Sequence, residues 1–366
     1  MMQRLRWACL ALLASVTVLG QTDPKNALLE RAGWDALAAG RPRAAADAFQ
    51  EALARDPNNV RLLLGAGTAA YLDRRDADAR LALERALQLD RTLTRARVLL
   101  GRVLYRIGDL TGAIRTYDAL VAAAPNGKTD DEIVATLDRW RREAELKNRM
   151  QLAVGSHFTV SFEGPAEERL AVEALESAER AYWRIGGSLS TYPVDPIALV
   201  LYSNEQFRDI TRSPAWAAGA YDGTIRIPMR GALDDARELD RVVAHEFAHA
   251  LVHTLAPRSV PTWLNEGLAT ALERDNLSWA ELQLRQAGQP LSQGVLQGSF
   301  SRLTGREAQL AYATSALIVQ RLIDEAGGFA VANLLRDIGE GKDFPTAFGH
   351  RMPRSFDDFV TSLGVP

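Results

Sequence analysis

At 366 residues the chain is too long for one ordinary domain and points to two. Its 47% apolar and 24% charged residues exclude a disordered or fibrous protein. A net charge of −3 gives no electrostatic case for binding nucleic acid or an anionic membrane surface.

The chain opens with MMQRLRWACLALLASVTVLGQTDP, which reads as an export signal. Arg4 and Arg6 form its basic start and Trp7 to Leu19 its apolar run. Val18-Leu19-Gly20 supplies the small or modest side chains that a signal peptidase reads, so residues 1–20 are expected to be removed after Gly20. The run falls short of the ~20 residues that span a bilayer, which argues against a retained anchor. The mature protein is therefore expected in the periplasm or outside the cell. Cys9, the one cysteine, lies inside the run, so the exported chain would rely on packing and not on disulfides.

Residues 26–147 repeat themselves with a shift of 34 residues: Gly33, Gly67 and Gly101 align, as do Leu37, Tyr71 and Tyr105. Ala45, Ala79 and Ala113 follow in register, then Phe49, Leu83 and Tyr117, then Ala52, Ala86 and Leu120. A turn is expected inside each copy at Gly40, Arg74 and Gly108. Small residues where paired helices cross and bulky ones in the second helix resemble the tetratricopeptide repeat. Three copies in register imply an all-α superhelix whose concave face takes a protein or peptide partner. Thr129-Asp130-Asp131-Glu132 then offers a capping box for one more helix, with Ile133, Leu137, Trp140 and Ala144 at helical spacing. That helix is expected to cover the last repeat and otherwise to face solvent.

Near Met150 the pattern changes, and a second domain is expected over 150–366. HFTVSF (157–162) and PIALVLY (196–202) carry the β-branched and aromatic content of strands, with a helix over 166–185 between them. AYDGTIRIP (220–228) reads as a third strand with Asp222-Gly223 in a turn near its start. From Asp234 onward the chain reads as mostly helical, which makes the layout α+β.

HEFAHALVH (245–253) holds three of the five histidines. It lies on a helix expected over Asp234 to Leu255, with Leu239, Val242, Val243, Phe247, Leu251 and Leu255 as its buried stripe. Residues four apart share a helix face, so His245 and His249 stand about 5–6 Å apart at Cβ and suit one Zn²⁺. Glu246, rotated about 100° from His245, can reach a water there but is poorly placed to bind the metal. This is the mechanical content of HExxH. His253 is about 12 Å of rise beyond His245, too far to share the ion, and is expected to sit near the helix's C-terminal end. The third ligand is expected from PTWLNEGLATALE (261–273), where a second helix forms a hairpin with the first and turns Glu266 back onto the two histidines.

HEFAH followed by WLNEGLA resembles the gluzincin zinc peptidases, the group that includes thermolysin-like enzymes and zinc aminopeptidases. The run from HFTVSFEGP through AYDGTIRIP to AYATSALIVQRLI is similar to the peptidase-MA-like domain attached to tetratricopeptide repeats in bacterial proteins. The resemblance implies a zincin-like α+β domain, zinc held by His245, His249 and Glu266, and Glu246 as catalytic base. It also implies that the strand around Ile225 is the sheet edge along which an extended substrate lies.

On that reading Glu246 takes a proton from a zinc-activated water as it attacks a peptide carbonyl, then passes it to the leaving nitrogen. Tyr312, in AYATSAL, is the candidate donor to the oxyanion, although a face shared with Ser315, Ala316 and Val319 equally suits a core tyrosine. Glu273 reads as a helix-surface carboxylate, with orientation of a ligand as the alternative. Trp216 suits either the cleft or the core. Aminopeptidases of the group carry a Gly-x-Met-Glu-Asn-like segment whose glutamate holds the substrate's amine. GAYDG (219–223) has no such glutamate, only Asp222, which favours endopeptidase action. The rival reading is a repeat scaffold whose zinc domain is inactive or only binds.

Overall fold

The computed structural model describes residues 24–363, apart from 125–127, 213–218, 230–234, 258–259, 289–290, 292 and 301–302. The export signal over residues 1–20, Trp216 and Asp234 lie outside the described residues. The chain forms two compact units that divide between Ala96 and Arg97. The division falls inside the third repeat.

The first unit contains the helix pairs α1 (Pro24–Ala38) with α2 (Pro42–Leu53) and α3 (Val60–Leu72) with α4 (Asp76–Leu89). The third pair, α5 (Thr94–Arg106) with α6 (Leu110–Ala122), belongs almost wholly to the second unit. The repeat register has a direct packing cause. A Cβ on Gly33 would stand 2.6 Å from the ring of Phe49, and one on Gly67 would stand 2.7 Å from Leu83. Gly101 faces Tyr117 in the same way. Each aligned glycine thus clears a seat for the aligned bulky residue of its own pair, and Phe49, Leu83 and Tyr117 are all buried. The turn residues Gly40, Arg74 and Gly108 all have positive φ, at 68°, 58° and 84°.

Next comes α7 (Asp131–Arg149), capped by the side chain of Asp130 on the amide of Glu132 at 2.8 Å and not by Thr129. Its Trp140 stacks on Tyr105 with ring centroids 5.0 Å apart and leans on Tyr117 at 4.5 Å, which closes the third pair. The helix is more than a solvated end, because Leu146 joins Tyr202, Phe207 and Ile210 in a core of its own.

The mixed sheet is built from β1 (Gln151–Val154), β2 (Phe158–Phe162), β3 (Ile197–Tyr202), β4 (Ala220–Tyr221) and β5 (Ile225–Pro228), in the order β1-β2-β3-β5-β4. The three central strands run parallel, Phe158 opposite Ile197 and Leu199 opposite Ile225, and the two edges are antiparallel. Parallel neighbours need a crossover, and α8 (Glu168–Leu189), the helix expected over 166–185, supplies the first, with α9 (Asn204–Thr211) in the second. The single strand expected over 220–228 is a hairpin, β4 and β5, turning through Asp222 and Gly223, whose φ is 109°. Its outer strand is β4; Ile225 therefore lies inside the sheet, between β3 and β4. Strand β1 was not expected from the sequence pattern; it is four residues long and mostly exposed.

Alternate residues of the central strands, Val160, Leu199, Leu201, Ile225 and Ile227, enter the main core. Against that face pack α8 and α10 (Ala236–Leu255), with Phe247 of α10 5.6 Å from Phe158 and 5.9 Å from Tyr182 between ring centroids. The rest is helical: α11 (Thr262–Leu272), α12 (Ser278–Ala287), α13 (Gln293–Gln297), α14 (Gly305–Ala326), α15 (Gly328–Glu340), α16 (Phe344–Arg351) and α17 (Phe356–Leu363). A Cβ on Gly267 of α11 would stand 2.6 Å from the backbone oxygen of Ser315. That close approach lets α14 lie against α11. Among the described residues no helix is long and apolar enough to cross a membrane.

Candidate metal centre and cleft

Helix α10 begins at Asp235, whose side chain accepts from the amide of Arg237 at 2.9 Å. Its expected stripe is buried from Leu239 to Leu251, with Leu255 half-buried, and this sets the opposite rotation of His245 and His249. Their Nε2 atoms stand 3.2 Å apart. Helix α11 returns and brings Glu266 Oε2 to 3.8 Å from His245 Nε2 and 3.6 Å from His249 Nε2. A tetrahedral ion with bonds of about 2.0–2.1 Å separates its donors by roughly 3.3–3.4 Å. The triangle of 3.2, 3.6 and 3.8 Å fits such an ion with small adjustments of χ angles.

The outer ring nitrogens are also committed. His245 Nδ1 lies 2.8 Å from Glu273 Oε2, and His249 Nδ1 lies 3.1 Å from Asn265 Oδ1. An acceptor on each Nδ1–H leaves the Nε2 lone pair directed inward, the tautomer a metal ligand needs. Glu273 is itself held by Arg241 Nη1 at 3.0 Å and is only 8% exposed, so the helix-surface role expected for it is overturned. Asn265 and Arg241 were not singled out in the sequence, although Asn265 precedes Glu266 in an otherwise apolar segment.

Glu246, one residue after His245, is not among the three converging donors; it lines the neighbouring cleft and is 5% exposed. Burial raises its pKa, against the pull of the two histidines. Burial opposes charge on His249, yet the adjacent Glu266 carries its pKa up to about 9. Glu266 is pushed up by burial but held below the ordinary carboxylate value by its hydrogen bond with His249. Glu266 is thus ready as an anion, and His249 has a proton to give up on binding a cation.

His245 borders a cleft of about 390 Å³ lined also by Gly219, Arg241, Glu246, Thr270, Trp279 and Tyr312. Tyr312 comes from α14 and sits on the cleft wall, its ring centroid 6.5 Å from that of His245 and 5.3 Å from that of Phe300. Burial, then the carboxylates of Glu266 and Glu246, raise its pKa, so the hydroxyl keeps its proton. A Cβ on Gly219 would fall 2.5 Å from Glu246 Oε1, so the backbone leading into β4 passes directly across that carboxylate. His253 is apart from all this, exposed, with its ring 5.6 Å from Tyr221 of β4.

Comparison with known proteins agrees with this arrangement at the level of family. Residues 177–353 match the Peptidase MA superfamily, a span that contains the histidines, Glu266 and Tyr312. Residues 31–93 and 71–137 each match a tetratricopeptide repeat family. No curated protein matches the chain. Among solved structures, the Sgt2 TPR domain from Aspergillus fumigatus is 25% identical and matches 37% of this chain and 88% of its own, at a TM-score of 0.33 that is too low to build on. The chain thus carries a peptidase MA superfamily domain behind N-terminal tetratricopeptide repeats.

Proposed function

We propose that this protein is an exported zinc-dependent endopeptidase whose repeats bind a protein or peptide partner. The observation that carries the reading is the convergence of His245, His249 and Glu266 on one point, with buried Glu246 beside it at the floor of a cleft. His245, His249 and Glu266 would hold the ion. Bound zinc supplies Lewis acidity, which makes water a nucleophile near neutral pH and polarises a carbonyl oxygen. Glu246 accepts the proton of the attacking water and delivers it to the departing nitrogen, a task suited to a carboxylate whose pKa burial has raised. Tyr312 donates its retained proton as a hydrogen bond to the developing oxyanion. Glu273 and Asn265 keep the two imidazoles in one tautomer and one orientation throughout.

Endopeptidase action is favoured because Asp222, the nearest counterpart of an amine-binding acid, is already engaged. Both its oxygens accept from Arg226 Nε at 3.1 Å. Export is supported by the basic and apolar pattern of residues 1–20.

Replacement of Glu246 by Gln provides the test. Peptide cleavage by the purified protein should fall at least about 100-fold, the usual scale for a lost general base, while zinc content stays at one per chain. Undetectable cleavage by the wild type on a broad peptide library, or equal cleavage by the variant, would end the proposal. Glu266→Ala should lose the zinc. Sequencing of the secreted protein should begin at Gln21.

A further inference from the structure

Outside the cleft, a buried ionic cluster lies on the face of the sheet opposite Ile225 and Ile227. Arg226 of β5 is 7% exposed and reaches three partners at once. Its Nη1 donates to Glu143 Oε1 of α7 at 2.8 Å and to the hydroxyl oxygen of Tyr202 at 2.6 Å, and its Nε donates to Asp222 in the hairpin turn. Glu143, 8% exposed, takes a second hydrogen bond at 2.8 Å from the hydroxyl of Tyr105, in the first helix of the third repeat. The hairpin meets that helix again at its turn, where a Cβ on Gly223 would stand 3.5 Å from the backbone oxygen of Arg106. Helix α7 is fixed from its other side by Arg142, which grips both oxygens of Asp209 on α9 at 2.8 Å.

The same hairpin continues back through β4 to Gly219, the residue that crosses Glu246. A path of direct contacts therefore runs from Tyr105 through Glu143 and Arg226 to the backbone at the lip of the cleft. We propose that the third repeat and α7 are working parts of the peptidase, with Arg226 a positioning residue that fixes the β4–β5 hairpin, and through it Gly219, over Glu246. The inference rests on the peptidase reading for what the hairpin does, since a substrate would pair with this edge of the sheet. Fixing the edge beforehand removes an ordering cost from substrate binding. The metal-facing side chains lie on α10 and α11 and make no contact with the cluster, so zinc binding is expected to be independent of it.

Arg226→Lys in the full chain tests this, since lysine keeps the charge but cannot serve Glu143, Tyr202 and Asp222 together. Tyr105→Phe is the milder second variant, because it keeps the stacking on Trp140 and loses only the hydroxyl. Amide hydrogen exchange at 219–221 and 225–227 should quicken by about tenfold or more in Arg226→Lys and by a few-fold in Tyr105→Phe, with β2 unchanged. KM for an extended peptide should rise by a similar factor, with kcat within about threefold and zinc content unaltered. A merely structural role would instead lower zinc content, thermal stability and kcat together. Unchanged exchange in the hairpin in both variants overturns the inference, and so does a loosened hairpin with unchanged KM. If the wild type cleaves no peptide, the peptidase reading falls, and the exchange rates alone decide whether the third repeat holds the hairpin.

Discussion

Glu273 carries the most informative single perturbation, because its sequence environment and its structural environment disagree. Its Oε2 receives the Nδ1 side of His245 at 2.8 Å and Arg241 Nη1 at 3.0 Å, in a position 8% exposed. Glu273→Gln keeps the volume but has one carbonyl oxygen for two donors and no charge. Partners of this kind, set behind a histidine ligand, are worth about 10–100-fold in metal affinity, or roughly 1.4–2.7 kcal/mol. Glutamine should fall near the lower figure. Alanine should reach the upper one, since it also leaves the Arg241 contact unmade and the ring of His245 without an acceptor. Competition for zinc against a chelator of known affinity measures both variants, and circular dichroism of the zinc-loaded forms checks that the fold survives. Zinc affinity within threefold of wild type in both variants would refute the claim that Glu273 orients His245.

Gly267→Ala would place a methyl group 2.6 Å from the backbone oxygen of Ser315 and 2.7 Å from Val319, contacts a helix backbone cannot yield without moving. It should cost about 1–3 kcal/mol in chemical denaturation and lower peptidase activity by displacing Tyr312, whereas Gly349→Ala, with nothing within 4 Å, should be neutral or slightly stabilising. Arg74 adopts φ 58° where the equivalent turns have glycine; Arg74→Gly should exceed Arg74→Val in thermal stability by about 1–2 kcal/mol, because only the β-branched residue resists this conformation strongly. Asp337, 2% exposed, accepts from Arg351 and Lys342 at 2.6 Å each, and the Arg351 bond above all holds its pKa below the ordinary 3.8. A depressed carboxylate stabilises the fold above its unfolded pKa and loses that contribution as pH falls, so the stability gap between wild type and Asp337→Asn should be full at pH 7 and shrink below about pH 4.

What the sequence made legible was whatever a fixed spacing dictates. A one-turn separation puts two imidazoles on a face whatever surrounds them, so His245 and His249 needed only a helix, and an apolar stripe supplied it. The aligned glycines and bulky residues of the repeats likewise encode contacts within each helix pair, as Gly33 with Phe49 and Gly67 with Leu83 illustrate. Glu266 was harder, since it required a short link between two helices to set their rotation, yet the link's length sufficed. The limits appear where partners come from distant segments. Glu273 looks like an ordinary helix-end carboxylate until α10 supplies His245 and Arg241 from 28 and 32 residues away.

The division of the chain shows the same limit at larger scale. Composition changes at Met150, so the boundary was drawn there. The third repeat and α7 are nonetheless tied to the sheet, through Glu143 and Trp140 of a helix expected to cover the last repeat and otherwise to face solvent. A buried arginine in a strand whose neighbours Ile225 and Ile227 face the core was the available sign. Alternation places Arg226 on the other face, and a charge there demands an acid from something that covers it. Glu143 of α7 and Asp222 of the hairpin turn provide it. The third repeat and the sheet are therefore joined through α7 by an ionic contact whose arginine is legible in the strand pattern and whose partner on α7 is not.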